Sequence, residues 1–382
     1  MSDVSIIKCS DYDRGVVEEA VRHAVDLLGG ISSMISPGER VLVKPNLLHM
    51  TAPERAITTH PSVVAAVIRL VEEAGGIPLV GDSSGVPLYE RVLRNTGIGA
   101  LAEEMGVETP SFTANPVEVE NKDGLQVKRL LLSRPAVEAD KIISVSKLKT
   151  HGQVYFTGAI KNQFGCIPGL LKAQYHYRFP DRDIFSAMLL DINRCLKPKL
   201  ALAIMDGIVA MEGNGPSGGN PREVGVILAG KDLAAVDVVA CRVVNIDPMT
   251  VPTNRLAYET GYSDGSIDDI NVLGASVEDV IVRDFERLRV VGSIGQFIPL
   301  PEFLSRRVRD SLVPKPVPDK KLCTLCGVCV ETCPAVPKAI ELRDGAIVID
   351  YKKCIRCYCC QEMCPSAAMK LRSGLLAKLL NR

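Results

Sequence analysis

Short apolar runs alternate with amphipathic stretches over the first 295 residues of the chain. Apolar runs bounded by turn residues predict strands at Arg40–Val43, Ile77–Val80, Lys141–Val145, Leu200–Met205 and Gly225–Leu228. Apolar positions at helical spacing predict helices at Arg14–Leu28, Val63–Glu73, Leu88–Thr96, Asp183–Leu196 and Asp232–Val244. Apolar strands separated by helices are typical of a largely parallel sheet with helices on both faces, so we expect an α/β fold.

The pattern changes twice in the rest of the chain. Residues 296–318 contain Pro299, Pro301, Pro314, Pro316 and Pro318, which predict a stiff linker around a short amphipathic helix at 302–312. Residues 319–372 are rich in cysteine, and residues 373–382 form an apolar tail. We therefore expect an α/β domain at 1–295, a linker at 296–318, an α+β module at 319–372 and a tail at 373–382.

The cysteines of the module have the spacing of iron–sulfur ligands. Cys323-x2-Cys326-x2-Cys329-x3-Cys333-Pro334 is followed by Cys354-x2-Cys357-x2-Cys360-x3-Cys364-Pro365. In such runs three thiolates come from one tight loop and the fourth comes from the other motif. The predicted ligand sets of two [4Fe–4S] clusters are therefore Cys323, Cys326, Cys329 and Cys364, and Cys354, Cys357, Cys360 and Cys333. Cys359 falls outside the spacing and is predicted to be a bystander.

Zinc and disulfides are the alternatives for these cysteines. Zinc sites favour separate C-x2-C pairs, and disulfides are rare in reducing compartments, so both fit the two motifs less well. Short strands at Ala339–Leu342 and Ala346–Asp350 are predicted between the motifs. Residues 319–372 resemble bacterial-type two-cluster ferredoxins. They depart from that pattern at Tyr358, where glycine is usual, and at residues 335–337, which lengthen the first loop.

Charge and hydropathy bear on partners and location. The chain has 45 basic and 45 acidic residues, so its net charge gives no reason to expect nucleic acid or an anionic membrane as a partner. No run of about 18 apolar residues predicts a transmembrane segment. The first ten residues lack the features of a signal peptide, and we expect a cytoplasmic protein. Apolar stretches near residues 294–304 and 375–380 allow a homodimer.

Polar residues follow the predicted strands at the points where the strands end. In open α/β sheets ligands bind at these carboxyl ends. Several of the polar residues are lysines, which predict an anionic ligand carrying phosphate or carboxylate groups. The candidate binding residues are Lys44, Asn46, Asp82, Ser83, Lys147, Lys149 and Lys161. Ordinary solvated lysines are the alternative, since most lysines are exposed.

Two glycine-rich stretches, residues 158–169 and 212–219, add to the candidate site. Glycine lets backbone amides approach an anionic ligand closely, so Gly213, Asn214 and Gly215 are further candidates. Plain surface loops are the alternative. Neither stretch is a Walker A loop or a dinucleotide-binding fingerprint, so we expect neither a P-loop ATPase nor an ordinary dinucleotide site.

Several of these motifs, in the same order, resemble the DUF362 family. They are Val43-Lys44-Pro45-Asn46, Asp82-Ser83-Ser84-Gly85, Ser146 to His151, Gly158 to Gly169 and Met205-Asp206-Gly207, and Tyr175-His176 after Lys172 fits as well. The resemblance covers most of residues 1–295. It implies an iron–sulfur-centre protein, in which a C-terminal two-cluster ferredoxin is common. Some archaeal relatives are thought to link the deazaflavin F420 to ferredoxin-type acceptors.

Three functions are compatible with these features. The first is an oxidoreductase that passes single electrons between its clusters and a flavin or F420 in a cationic pocket, with His151, Asn162 and Asp206 facing the reacting ring. His151 is the residue expected to titrate near neutral pH, although a capping role is the alternative. The second is an electron carrier without an organic cofactor. The third is a reductive activator or metal-centre assembly factor of another enzyme. A ferredoxin or an acceptor enzyme would be the redox partner.

A mononuclear metal site is a separate alternative for the α/β domain. Its candidate ligands would be His49, His60, His176 and Glu212. These residues are scattered singly along the chain, and no H-x3-H spacing joins them.

Overall fold

The computed structural model describes residues 1–84, 89–169, 171–287 and 313–372. Its strands are β1 (Ser2–Lys8), β2 (Arg40–Pro45), β3 (Ile77–Val80), β4 (Val117–Glu120), β5 (Arg129–Leu132), β6 (Lys141–His151), β7 (Tyr155–Thr157), β8 (Leu200–Glu212), β9 (Asn220–Gly230), β10 (Ile270–Gly274), β11 (Lys315–Pro318), β12 (Ile340–Arg343), β13 (Ala346–Ile349) and β14 (Met369–Arg372).

The helices are α1 (Arg14–Asp26), α2 (Pro61–Glu73), α3 (Tyr89–Asn95), α4 (Ile98–Met105), α5 (Arg134–Glu138), α6 (Ala159–Asn162), α7 (Leu171–Arg178), α8 (Arg182–Leu196), α9 (Leu233–Val243), α10 (Pro252–Glu259), α11 (Val328–Glu331) and α12 (Cys359–Glu362). Within the described residues no helix is long and apolar enough to cross a membrane.

The main sheet has the strand order β10-β1-β9-β8-β6-β2-β3, with β7 paired to β6. β9 is antiparallel to both β1 and β8, whereas the pairs β8–β6, β6–β2, β2–β3 and β1–β10 are parallel. The sheet is thus mixed and largely parallel, which confirms the predicted α/β class. Each predicted strand and helix of the α/β domain overlaps an observed element, and Leu88, the first residue of one predicted helix, lies outside the described residues.

Helices cover both faces of this sheet because side chains alternate along each strand. Val41 and Val43 pack with α1 and α2 in one buried cluster, while Leu42 between them packs with α8 in another. A third cluster packs α9 against β1, β8 and β9. With both faces of its central strands buried, the sheet can reach a ligand at the ends of those strands.

Two central strands are longer than their apolar runs predict. β6 continues from Val145 to His151, and β8 continues from Met205 to Glu212. The added residues include buried charged side chains, among them Lys147 and Asp206. Lys147 of β6 lies opposite Asp206 of β8 where the two strands pair. The polar segments that were predicted to follow these two strands are therefore parts of the strands.

The cysteine-rich module contains two small antiparallel pairs. β12 and β13 form the predicted hairpin, and β11 pairs with β14. β11 falls within the segment predicted as linker. Its two prolines are compatible with a strand because this is a two-stranded sheet, in which each strand is an edge. The helix predicted at 302–312 and the apolar tail at 373–382 lie outside the described residues, as do the apolar stretches near 294–304 and 375–380.

Candidate functional site

The carboxyl end of β2 holds Lys44 in a buried ion pair. Its Nζ lies 2.7 Å from Oδ1 of Asp82, and neither side chain is exposed. Oδ2 of Asp82 accepts the backbone N–H of Leu47 at 2.7 Å, and the Asn162 amide donates to the Lys44 carbonyl at 3.1 Å. A Cβ at Gly165 would collide with both members of the pair, so only glycine permits this approach.

A second buried lysine belongs to a closed polar network. Nζ of Lys147 lies 2.8 Å from Asp206 Oδ2 and donates to the Tyr12 hydroxyl at 2.8 Å. That hydroxyl donates to Asp206 Oδ1 at 2.9 Å, and the Tyr12 ring stacks on His60 with centroids 3.7 Å apart. The predicted site residues Lys147 and Asp206 therefore satisfy each other within the domain.

Lys149 is buried without a carboxylate partner at hydrogen-bonding distance among the described residues. Its ammonium donates to Asn46 Oδ1 at 2.9 Å and to the Ile57 carbonyl at 2.7 Å. Burial, together with the nearby charge of Lys161, lowers the pKa of Lys149 to about 7. Lys149 thus positions Asn46.

A cavity of about 80 Å³ lies between the α/β domain and the module, and we call it the interdomain cavity. Four predicted binding residues, Asn46, Asp82, Ser83 and Lys161, line it together with Asn162, which was predicted to face the reacting ring. Its module side is lined by Thr332, Cys359, Glu362 and Met363. Cys359, the predicted bystander, is therefore a wall residue of the cavity.

Two lysines and two carboxylates line the interdomain cavity, and the carboxylates face Lys44 and His151. Lys161 lies 5.5 Å from the ring centroid of Phe164, and no carboxylate of the described residues lies within 4.0 Å of its ammonium. Lys172 also lines the cavity and donates to the carbonyls of Ser83 and Ser84. Burial lowers the pKa of Lys172 to about 7. An anionic group would balance these two lysines.

His176 lines the cavity one helical turn after Lys172 on α7. Its ring stacks on Phe185 with centroids 4.5 Å apart, and its Nδ1 has no hydrogen-bond partner in the described part of the chain. Burial lowers the pKa of His176 to about 3, so the imidazole is neutral at neutral pH. Lys172 and His176 were not among the predicted binding residues, although their i, i+4 spacing was visible in the sequence.

His151 faces the module at the end of β6. Its Nδ1 accepts the backbone N–H groups of Gln153 and Val154 at 3.0 and 3.3 Å, so Nε2 carries the ring proton. Nε2 lies 2.6 Å from Oε1 of Glu362. Burial works against ionisation of Glu362, but His151 and Lys161 outweigh it and hold the pKa of the carboxyl below its usual range. His151 thus holds a cavity residue and is not itself a lining residue.

The glycine-rich stretch 212–219, which we call the glycine loop, contacts the module. The side-chain amide of Gln361 donates to the Asn214 carbonyl at 2.9 Å and to the Gly215 carbonyl at 3.1 Å. Gly215 itself packs against the Thr150 backbone, where a Cβ would collide. Gly213 donates its N–H to the Glu286 carbonyl at 2.7 Å. Asn214 and Gly215 therefore contact α12, and none of the three residues lines the interdomain cavity.

The module brings the four cysteines of the first predicted set together around one cavity. A small cavity of about 20 Å³ is lined by Cys323, Cys326, Cys329 and Cys364. Burial raises the pKa of the Cys360 thiol well above its ordinary value. The thiols close enough to raise it further are those of Cys357, Cys354, Cys329 and Cys333. Convergence of four thiols from both motifs around the small cavity fits a [4Fe–4S] cluster there, and the second ligand set stays a prediction.

Single metal ions and disulfides fit the described residues less well. All 13 cysteines are free thiols. Among the described residues no group of three or more His, Cys, Asp or Glu side chains is close enough to hold one metal ion. His60 lies beside Tyr12 and His176 beside Phe185, so the histidines considered for a mononuclear site do not converge.

Comparisons with known proteins agree with this division of the chain. Residues 41–242 match the family described as a domain of unknown function (DUF362), and residues 315–365 match the 4Fe-4S dicluster domain. The thylakoid-associated protein sll1697 of Synechocystis sp. is 39% identical over 254 residues, which are 66% of this chain and 78% of that protein.

A solved structure, the lactate racemase apoprotein from Thermoanaerobacterium thermosaccharolyticum, matches with a TM-score of 0.39 and 15% identity. The match covers 61% of this chain and 54% of that one. The family match, by contrast, spans more than half of this chain and includes the strands that carry Lys44, Lys147 and Asp206. The chain belongs to the DUF362 family and carries a C-terminal 4Fe-4S dicluster domain.

Proposed function

We propose that this protein is an iron–sulfur oxidoreductase whose interdomain cavity binds an anionic redox ligand of the flavin or deazaflavin (F420) type. The eight cysteines of the two predicted sets would hold two [4Fe–4S] clusters. When bound, such clusters carry single electrons, and a flavin-type ligand exchanges electrons in pairs with its substrate.

The position of the cavity is the observation that carries this proposal. Its module wall consists of Thr332, Cys359, Glu362 and Met363. Thr332 and Cys359 are the direct sequence neighbours of Cys333 and Cys360, which belong to the same predicted ligand set. A ligand in the cavity would therefore contact residues that adjoin cluster cysteines, with no solvent layer between them.

The charge of the cavity favours an anion as the ligand. The two lining carboxylates each have a partner, since Asp82 pairs with Lys44 and Glu362 faces His151. Lys161 and Lys172 have no carboxylate within 4.0 Å in the described residues, and we assign them to an acidic group of the ligand.

The remaining polar residues have separate parts in this proposal. Asn162 lines the cavity and donates to the Lys44 carbonyl and to Ser144 Oγ at 3.0 Å, so it is held in place to contact the ligand. His151 and Lys149 are positioning residues for Glu362 and Asn46. Lys147 and Asp206 stabilise the sheet end and do not touch the ligand.

Lys161→Ala tests the proposal with little risk to the fold, because this side chain forms no ion pair within the described residues. Anaerobic protein is titrated with FMN, FAD and F420, and binding and absorbance of the clusters are followed. We expect one of these ligands to bind, and Lys161→Ala to weaken that binding about tenfold or more (about 1.4 kcal/mol). The control is Lys122→Ala, a side chain 80% exposed and away from the cavity.

Reduction of the bound ligand should bleach the cluster absorbance in the wild-type protein. If none of the three ligands binds, the cationic cavity has another occupant, and the function moves to that of a carrier or of a reductive activator. If a ligand binds equally well to Lys161→Ala and to the wild type, its site is elsewhere in the chain.

A further inference from the structure

The two cysteine motifs are repeats of each other but differ in exposure. Cys326 is exposed, whereas Cys357, its counterpart three residues into the second motif, is 8% exposed. Leu325 is 41% exposed, and the equivalent Arg356 is 6% exposed. Both residues before these cysteines have the same left-handed backbone conformation, with φ of 56° and 61°. The loops are therefore alike in shape and unlike in surroundings.

The α/β domain is what covers the second motif. Gln361 bonds to the glycine loop, Glu362 faces His151, and the Met363 carbonyl lies 3.2 Å from Nε2 of His49. In the first motif the residue equivalent to Glu362 is Glu331, which is exposed. One predicted cluster thus lies against the interdomain cavity, and the loop of the other is exposed at Cys326.

The uncovered segment, residues 320–326, has the composition of a docking surface. Leu322 and Leu325 are exposed apolar side chains beside the exposed Cys326. Lys320 and Lys321 precede them and are also exposed. In the described part of the chain neither ammonium has a carboxylate within 4.0 Å. Apolar contacts beside unbalanced charges are typical of transient protein interfaces, in which the charges guide the encounter.

We propose that an acidic electron-transfer protein docks on residues 320–326 and exchanges one electron with the chain there. The electron leaves the reduced centre of one protein and enters the oxidised centre of the other, and no bond is made or broken. The partner is acidic because Lys320 and Lys321 present positive charge, which attracts a partner of opposite charge. A second copy of this chain would place these lysines against each other. The inference rests on the proposed function in one respect, that the cysteines hold clusters.

The probe is a small acidic [2Fe–2S] ferredoxin, and its binding to the full-length, cluster-loaded protein is measured by calorimetry at low and at moderate salt. We expect binding that weakens with salt. Lys320→Glu with Lys321→Glu should weaken it at least about tenfold, because two attractive charges become repulsive. Leu325→Asn, which keeps a residue tolerant of the left-handed conformation, should weaken it several-fold, by roughly 1 kcal/mol.

The second motif supplies the matched control. Lys352 and Lys353 are exposed lysines directly before Cys354, as Lys320 and Lys321 lie shortly before Cys323. Lys352→Glu with Lys353→Glu should leave ferredoxin binding within about twofold of the wild type, with the same charge change. Equal loss in both double variants, or no binding by the wild-type protein at low salt, would overturn the proposal.

The iron content of each variant shows whether a loss of binding reflects a lost cluster. If the ferredoxin binds at this surface but no flavin-type ligand enters the cavity, only the proposed ligand fails. If a cavity ligand bleaches the clusters but the ferredoxin does not bind, only the docking surface fails.

Discussion

At the scale of single residues, the α/β domain is unusual in burying three lysine side chains. Lys44, Lys147 and Lys149 are almost fully inaccessible, although lysine is rarely buried without a partner. From the sequence, all three lysines were predicted to bind an anionic ligand. In the structure Lys44 and Lys147 already have carboxylates of their own, and the unbalanced charge lies on Lys161 and Lys172. The partners Asp82 and Asp206 are distant in sequence, so the pairing was not visible there.

His176 predicts how stability depends on pH. Burial lowers its folded pKa to about 3, below the ordinary value of about 6.5. Between these values the unfolded chain binds a proton that the folded chain does not, so stability is present above about pH 6.5 and falls as the pH drops. We expect His176→Phe to reduce the slope of the unfolding free energy between pH 6 and 4.5 by up to about 1.4 kcal/mol per pH unit.

Urea unfolding at several pH values measures this slope. The control is His23→Gln, which changes an exposed histidine on α1 and should leave the slope as in the wild type. An unchanged slope in His176→Phe would mean that this imidazole binds its proton equally well in the folded protein.

At the scale of elements, the module could be predicted more completely than the sheet. Ligand spacing and the hairpin of β12 and β13 were both read from the sequence, because they depend on residues close together in the chain. The lengths of β6 and β8 were not, since their polar ends are held in the sheet by contacts across strands. In both strands the apolar run ends where buried charged residues follow, Lys147 in β6 and Asp206 in β8.

Cysteine substitutions in α12 test the ligand assignment. Cys360→Ser should lower the iron content by roughly four atoms per chain, because it removes a predicted ligand of one cluster. Cys359→Ser, one residue earlier and also buried, should keep the wild-type iron and sulfide content. Iron and sulfide analysis of anaerobically purified protein measures both. Loss of iron in Cys359→Ser and not in Cys360→Ser would reverse the assignment of these neighbours.

At the scale of the whole molecule, α12 joins the two parts of the chain. Its residues bond to the glycine loop and face His151, and they form one wall of the interdomain cavity. The same contacts leave the first motif open to a partner. The module thus has one side at the interdomain cavity and an exposed segment at residues 320–326, which is the arrangement that the two proposals require.

Glu362→Gln tests how firmly the module is seated. Burial lowers the pKa of His151 to about 4, so its neutral imidazole donates a hydrogen bond to the Glu362 carboxylate. The change removes that charged acceptor, and a hydrogen bond to a charged group contributes about 1.5–3 kcal/mol. We expect the cluster absorbance to be lost at lower urea than in the wild type. The control is Glu331→Gln at the exposed equivalent position, which should change stability by less than about 0.5 kcal/mol. Equal midpoints for the two variants would show that Glu362 does not seat the module.

The sequence by itself determined the α/β class, most elements, the family and the iron–sulfur module, because periodicity and ligand spacing are local properties of the chain. Four of the predicted binding residues, Asn46, Asp82, Ser83 and Lys161, line one cavity in the structure together with Asn162, and their roles stay predictions. Only the tertiary structure decided that Lys172 and His176 join them, and that His151 and the glycine loop hold the module. These outcomes depend on which side chains meet across the domain–module contact, and burial of charge allows few such pairings.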